Sequence, residues 1–186
     1  MIHDLKLSDI SRLQRRVTHK QLIQLLSAPE FHWHFYQGIE ALNARLYIPG
    51  CISLLASIET SIRCTLFRIE NPGAQFYEED LGTLLSNRLL REAQIAGLPV
   101  ESLAFPDENN FIVRLQCNKP PVTIVEIRNA LAHGNITEYI NKVLGLDQHF
   151  FTPECLRKDA HLLRHISVRW FRKLAVFRHK KFGGEN

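Results

Sequence analysis

Arg128, Asn129 and His133 lie within six residues of one another and combine side chains that are suited to chemistry on a phosphate ester. Histidine has an ordinary pKa of about 6.5, which suits it to proton transfer in general acid–base catalysis. Arginine presents a rigid fork of N–H donors that stabilises phosphate charge. On this interpretation His133 moves the proton, Arg128 holds the phosphate and the Asn129 amide orients the imidazole.

A short helix is predicted to carry these residues. Two prolines, at 120–121, disfavour a helix before it. Thr123 and Glu126 have the spacing of a capping box, in which the hydroxyl accepts from the Glu126 amide. Gly134 can adopt the left-handed conformation that ends a helix. The apolar positions that recur at helical spacing are Ile124, Ile127 and Leu131. Arg128 and His133 are therefore predicted in the second half of an anchored helix.

The spacing places only part of the triad on one side of this helix. Asn129 and His133 are four residues apart and share a face. Arg128 and His133 are five residues apart, which separates them by about 140° around the axis. A single helix therefore does not aim both side chains at one phosphate unless its last turn unwinds.

A second charged residue, Glu59, falls inside the clearest apolar period of the chain. A helix over 51–69 is predicted from Ile52, Leu55, Ile58, Ile62, Leu66 and Ile69. A buried carboxylate is costly unless it is paired or hydrogen-bonded. Two interpretations follow: either Glu59 pairs with Arg128 or another basic group and holds it in place, or the helix is rotated so that Glu59 reaches the rim.

Arg-Asn-x-x-x-His followed by glycine, late in a helical chain, resembles the Arg-(four to six residues)-His motif of the HEPN superfamily. Asparagine directly after Arg128, the Ala-His-Gly ending and the Ile-Glu pair at Glu59 carry the resemblance, which covers about 47–145. These are small helical proteins, many of them metal-independent RNases of toxin–antitoxin, abortive-infection and CRISPR systems. The resemblance implies an all-α, HEPN-like helical bundle and a two-fold homodimer whose motifs face each other across a cleft.

The remaining helices before the motif are predicted from caps and apolar spacing. Ser8 caps a helix that runs to about residue 26. Ser27 and Glu30 have capping-box spacing for a second helix. Its core-facing positions are Phe31, Phe35, Ile39, Leu42 and Leu46. The Ile48-Pro49-Gly50 sequence is predicted to break this run before the next helix.

The stretch between the Glu59 helix and the motif contains one predicted helix and one long loop. Asp80 is predicted to cap a helix over 81–96 that Gly97 closes. The region 98–121 is rich in proline and is the least helical part. Its segment 111–115 has the composition of a short strand, but no partner strand is recognisable. We interpret 98–121 as a loop packed by its own apolar residues or as an insertion beside the active cleft.

The C-terminal part is predicted to be a long basic helix. Asn135 and Glu138 have capping spacing for a short helix to 144, and Thr152-Pro153 then opens a helix over 153–181 with a basic surface. Its apolar stripe is Ala160, Leu163, Ile166, Trp170, Leu174 and Phe177, and the opposite stripe is Lys158, His161, His165, Arg169, Arg172 and His179. Residues 157–181 hold nine Lys or Arg and one acid. The stripe is predicted to face solvent or RNA phosphate, and the RNA-binding candidates are Lys158, His165, Arg169 and Arg172.

Composition predicts one helical domain over 1–186 and a cytoplasmic location. The four cysteines show no Cys-x-x-Cys pair, which argues against a disulfide framework or a cysteine zinc site and suits a reducing compartment. The first residues do not resemble a signal peptide, and no apolar run approaches membrane-spanning length. His161 and His165 have the i, i+4 spacing of zinc ligands but lack an accompanying Glu or Cys. No metal, cofactor or membrane partner is predicted.

Three functions are compatible with the sequence. The resemblance favours a metal-independent endoribonuclease that uses the ribose 2′-hydroxyl as nucleophile and leaves a 2′,3′-cyclic phosphate and a 5′-hydroxyl. Such an RNase resembles a toxin or a phage-defence effector with a neutralising partner. The alternative is a non-catalytic dimeric HEPN-like module that binds RNA, nucleotide or a protein. In the third, a purely structural protein, Arg128 caps carbonyls and His133 fills a C-terminal helix position where its charge suits the dipole.

Overall fold

The computed structural model describes residues 29–74, 84–117, 119–135 and 152–183, and these residues form helices and no strand. The α-helices are α1 (Pro29–Asn43), α2 (Tyr47–Glu70), α3 (Asn87–Ile95), α4 (Phe111–Gln116), α5 (Thr123–Ala132) and α6 (Arg157–Phe182). Two short 3-10 segments span Val100–Leu103 and Pro153–Leu156. The predicted all-α class is therefore confirmed. The caps at Ser8, Ser27 and Asp80 and the helix predicted after Asn135 lie outside the described residues.

Helix α2 is the central element, and it packs against α1, α3, α5 and α6. Ile58 and Ile62 are fully buried along it. The largest side chain in the core is Trp170 of α6, whose Nε1 donates to the Ser61 hydroxyl at 2.9 Å. This buried hydrogen bond joins the two longest helices of the described chain and satisfies the indole N–H.

The helices α1 and α2 approach closely because each has a glycine at their contact. A Cβ added at Gly38 would lie 2.9 Å from Leu54 Cγ and 3.1 Å from the Leu54 backbone nitrogen. A Cβ at Gly50 would lie 2.4 Å from Leu42 Cδ2. Larger side chains at either position would force the two helices apart.

The junction between α1 and α2 differs from the prediction. Helix α2 begins at Tyr47, so Pro49 lies in its first turn, where proline is tolerated, and the predicted break at 48–50 is wrong. Leu46 precedes α2 and is exposed rather than part of the α1 core face. Ile52 is 47% exposed because it lies about 120° from the buried Ile58 around the axis.

Helix α3 begins later than predicted. Residues 84–86 precede the helix, and the Ser86 hydroxyl caps it by accepting from the Leu89 amide at 3.2 Å. Gly97 follows the helix with φ 85°, as predicted.

A helix replaces the loop or strand predicted at 111–115. Phe111 and Leu115 are four residues apart and both buried, so α4 presents one apolar face to the core. The Asn87 amide of α3 donates to the Arg114 carbonyl at 3.1 Å and the Cys117 carbonyl at 2.8 Å. These bonds satisfy the last carbonyls of a helix that is too short to be stable alone.

Helix α6 follows the predicted apolar stripe. Its positions from Ala160 to Leu174 are buried as expected, and Phe177 is half-buried. The first turn, Pro153–Leu156, is a 3-10 segment rather than α-helix.

Among the described residues α2 alone is long and apolar enough, by length and composition, to cross a membrane. The prediction that no apolar run approaches that length missed it. Its best 18-residue window has a mean hydropathy of 1.2, and 56% of that window is buried within the protein. The core helix of a soluble protein passes the same test, so this finding does not place the chain in a membrane.

Candidate functional site

Glu59 of α2 and Arg128 of α5 form an ion pair. Arg128 Nε lies 3.6 Å from Glu59 Oε2, and both side chains are largely shielded from solvent. The pair forms because α5 packs on α2 through its apolar face, where Ile124 and Ile127 are buried. The predicted pairing of Glu59 with Arg128 is therefore present in the structure.

Three chain segments hold the Glu59 carboxylate. Arg63, one turn later in α2, donates to Oε1, and the Leu85 amide before α3 donates to Oε2 at 2.8 Å. With Arg128, the carboxylate therefore receives two guanidinium groups and one backbone N–H. Such charge-assisted contacts restrict the rotamers of the carboxylate and of the arginine that it faces.

Arg128 also donates a hydrogen bond to its neighbour in the chain, Asn129. Arg128 Nη1 donates to Asn129 Oδ1 at 3.2 Å. The sequence predicted that Asn129 would orient His133, but among the described residues no hydrogen bond joins the Asn129 side chain to the imidazole. Asn129 therefore fixes the guanidinium in this structure.

His133 lies one residue beyond the last residue of α5. It is the C-cap, with φ −94° and ψ 3°, and its amide donates to the Asn129 carbonyl at 3.0 Å. Gly134 follows with φ 65° and turns the chain, as predicted. His133 is exposed, whereas the Arg128 side chain is largely shielded from solvent. One chain thus presents a fixed guanidinium and an open imidazole at the same end of one helix.

The capping box predicted at the start of α5 is wrong. Thr123 is the first residue of the helix, and Val122 occupies the N-cap without a side-chain cap. The Thr123 amide donates to Glu108 Oε1 at 2.9 Å, and its hydroxyl donates to the same oxygen at 3.1 Å. A carboxylate that is distant in sequence therefore provides the cap, and its negative charge suits the N-terminal dipole.

Sequence reasoning missed Glu108 and its partner Arg114, because both lie in the region interpreted as a loop. Arg114 Nη1 donates to Glu108 Oε1 at 2.8 Å, and Nη2 contacts Glu126 Oε1 at 3.0 Å and the Pro121 carbonyl. The Glu108 side chain is only 2% exposed. Two opposite charges in a proline-rich stretch are the only indication that the sequence gives of this network.

The predicted RNA-binding residues of α6 differ in their surroundings. Lys158 and His165 are exposed, and Arg172 is half-buried. Arg169 Nε donates to the Ser102 carbonyl at 2.8 Å, and its Nη2 donates to the Ala104 carbonyl. The guanidinium of Arg169 therefore anchors the segment after α3 to α6. Among the described residues, the hydrogen bonds and ion pairs of Arg128 involve Asn129 and Glu59 and none of these four residues.

Comparisons with protein-family models, curated proteins and solved structures give no match. Within the described ranges, no three His, Cys, Asp or Glu side chains are grouped as metal ligands.

Proposed function

We propose that this protein is a metal-independent endoribonuclease of the HEPN type. The observation that carries the proposal is the Glu59–Arg128 ion pair, which fixes a guanidinium beside the helix end where His133 is exposed. A carboxylate-braced arginine and an accessible histidine supply phosphate binding and proton transfer, and these are the two functions that RNA cleavage by its own 2′-hydroxyl requires.

In the proposed reaction the ribose 2′-oxygen attacks the adjacent phosphorus, and the bond to the 5′-oxygen breaks. His133 takes the 2′-hydroxyl proton and then donates it to the departing 5′-oxygen. Arg128 donates to the phosphorane oxygens, where negative charge accumulates. Glu59 and Asn129 act as positioning residues for Arg128. The products are a 2′,3′-cyclic phosphate and a 5′-hydroxyl.

A homodimer completes the proposed site. Ile52 lies seven residues before Glu59 on the same side of α2, and Leu84 adjoins the residue whose amide binds Glu59. Both apolar side chains are about half exposed. A second copy of the chain would cover them and bring its own Arg128 and His133 to a shared cleft.

The proposed activity is tested by RNA cleavage in EDTA with wild type and His133→Ala, and by analysis of the 3′ ends of the products. Cleavage that survives the chelator, leaves cyclic phosphate and is lost in the variant is expected. His34→Ala, an exposed histidine on α1, is the matched control and should still cleave. Equal cleavage by wild type and His133→Ala would refute the assignment of His133.

We expect Ile52→Asp to convert the dimer into a monomer, because a charge placed at an apolar interface loses solvation without gaining a partner. Sedimentation velocity measures the change, and cleavage should fall with the dimer fraction. Val113→Asp on α4, also exposed and apolar, should leave the oligomeric state unchanged. A dimer that survives Ile52→Asp would remove this face of α2 from the interface.

A non-catalytic module that binds RNA, nucleotide or a protein is the second candidate. Its supporting observation is that the Arg128 fork already contacts Glu59 and Asn129, so a phosphate must compete for it. His133→Ala would then leave both RNA affinity and all other behaviour unchanged.

As an RNase, the protein would act in the cytoplasm as a toxin or phage-defence effector and would need a protein antitoxin or regulator.

A further inference from the structure

Two large aromatic side chains of α1 are exposed side by side. Trp33 is 60% exposed and Tyr36 is 43% exposed, and their i, i+3 spacing puts them on one side of the helix. The ring of His32 lies 4.8 Å from the Trp33 ring, centroid to centroid. The core of the protein does not use these rings, because α1 faces it through Phe31 and Phe35.

This aromatic side of α1 adjoins α6. The two helices run antiparallel: Phe35 contacts Phe171 edge to face at 4.7 Å, and Arg164 Nη1 donates to Asn43 Oδ1 at 3.0 Å. Tyr36 is about 100° beyond Phe35 around its axis. It therefore turns outward on the side where α1 meets α6, away from α2.

The adjoining side of α6 is basic. Arg172 is about 100° beyond Phe171 around the α6 axis. Because α1 and α6 run antiparallel, the same rotation on each helix leads to the same side of their contact. Arg172 therefore lies on the same outer side as Tyr36. Arg164 and His165 continue this side towards the other end of α1. We name Trp33, Tyr36, Arg164, His165 and Arg172 the aromatic–basic surface. Glu40 is the acid of α1 on this side, and it accepts a hydrogen bond from Asn43 at 3.4 Å.

We infer that the aromatic–basic surface binds single-stranded RNA, an inference that rests on the proposed function and specifies the form of its substrate. Exposed aromatic rings stack on bases, and flanking arginines bind the backbone phosphates. Bases are free to stack on protein rings only where the strand is unpaired, so a duplex should bind less tightly. On this inference the surface binds a stretch of the RNA strand other than the nucleotides that are held at Arg128 and His133.

Tryptophan fluorescence reports directly on this contact. The chain has two tryptophans, of which Trp170 is fully buried and Trp33 is exposed. We expect a ten-nucleotide single-stranded RNA to quench the emission of the His133→Ala protein, in which the RNA is not cut. Trp33→Phe in the same background should abolish the quenching and retain most of the affinity, because phenylalanine still stacks.

Affinity measurements separate stacking from charge. Trp33→Ala and Tyr36→Ala should each weaken single-stranded RNA binding by about tenfold in fluorescence anisotropy. Arg172→Ala should weaken binding and reduce its salt dependence. Val113→Ala, exposed on α4, is the control and should bind as the parent protein does. Circular dichroism and the melting temperature of each variant exclude a loss of fold.

Several outcomes would overturn the inference: unchanged affinity in Trp33→Ala and Tyr36→Ala, equal affinity for a duplex of the same length, or no RNA binding. Binding of phosphatidylserine vesicles that depends on Trp33, without RNA binding, would assign the surface to a membrane instead. Cleavage by a wild-type protein whose surface variants bind normally would refute this inference alone. Trp33-dependent binding without cleavage would refute the nuclease alone.

Discussion

Replacing Arg128 with alanine is expected to lower kcat for RNA cleavage by about 10²–10³-fold, because in the proposed reaction Arg128 supplies the donors to the phosphorane. The fold should survive the change. Glu59 would retain Arg63 and the Leu85 amide, so truncation does not leave its carboxylate without partners. Single-turnover cleavage by saturating enzyme measures kcat without interference from weakened binding.

Two companion variants sharpen this prediction. Arg128→Lys keeps the charge but loses the planar fork, so it should restore only a small part of the rate. Glu59→Gln still offers an amide oxygen to Leu85, but its charge no longer fixes Arg128, and kcat should fall between the values of wild type and Arg128→Ala. Arg88→Ala, an exposed arginine on α3, is the matched control. If Arg128→Ala cleaves at the wild-type rate, Arg128 does not stabilise the transition state. A Glu59→Gln protein that folds, dimerises and cleaves normally would remove Glu59 from the site.

The sequence predicts well the features that depend on local periodicity. The burial of Ile58 and Ile62 follows from the spacing of apolar residues alone, as does the apolar stripe of α6. The pairing of Glu59 with Arg128 could also be predicted from the sequence, because a carboxylate inside an apolar stripe requires a partner. Glycine at 134 indicated the end of α5 because few other residues adopt a positive φ.

The errors share a different cause, which is the dominance of long-range contacts over local signals. Thr123 and Glu126 have capping-box spacing, but Glu108 and Arg114 compete for those groups and take both. Helix α4 forms in a region of low helix propensity because Asn87 binds its terminal carbonyls. Neither contact has a signature in the local sequence, since the partners lie at least 12 residues apart.

The aromatic–basic surface illustrates a third limit. The sequence indicated the basic stripe of α6 but gave no reason to join it to Trp33 and Tyr36. Only the antiparallel packing of α1 on α6, fixed by Phe35 and Phe171, brings the two sets together. A surface function of this kind arises from tertiary arrangement rather than from any motif.

The network at Glu108 is expected to contribute strongly to stability. Glu108→Ala should lower the free energy of unfolding by about 3 kcal/mol, because it removes the buried carboxylate that pairs with the part-buried Arg114 guanidinium. It also removes the cap from the Thr123 amide at the start of α5. Arg114 keeps its contacts with Glu126 and Pro121, which holds the loss at the lower end of the range for broken buried pairs.

Urea unfolding monitored by circular dichroism measures this loss as a lower midpoint at an unchanged slope. The matched control is Glu92→Ala, which breaks the Arg88–Glu92 pair on α3. The Arg88 and Glu92 side chains are 73% and 43% exposed, so Glu92→Ala should lower the free energy of unfolding by less than about 1 kcal/mol. Glu108→Gln keeps an oxygen acceptor, so its urea midpoint should fall between those of Glu108→Ala and Glu92→Ala. Equal midpoints for Glu108→Ala and Glu92→Ala would show that the buried network does not stabilise the fold. A large loss accompanied by reduced cleavage would instead connect the region between α3 and α5 to the position of Arg128, because Glu108 holds the first residue of the helix that carries it.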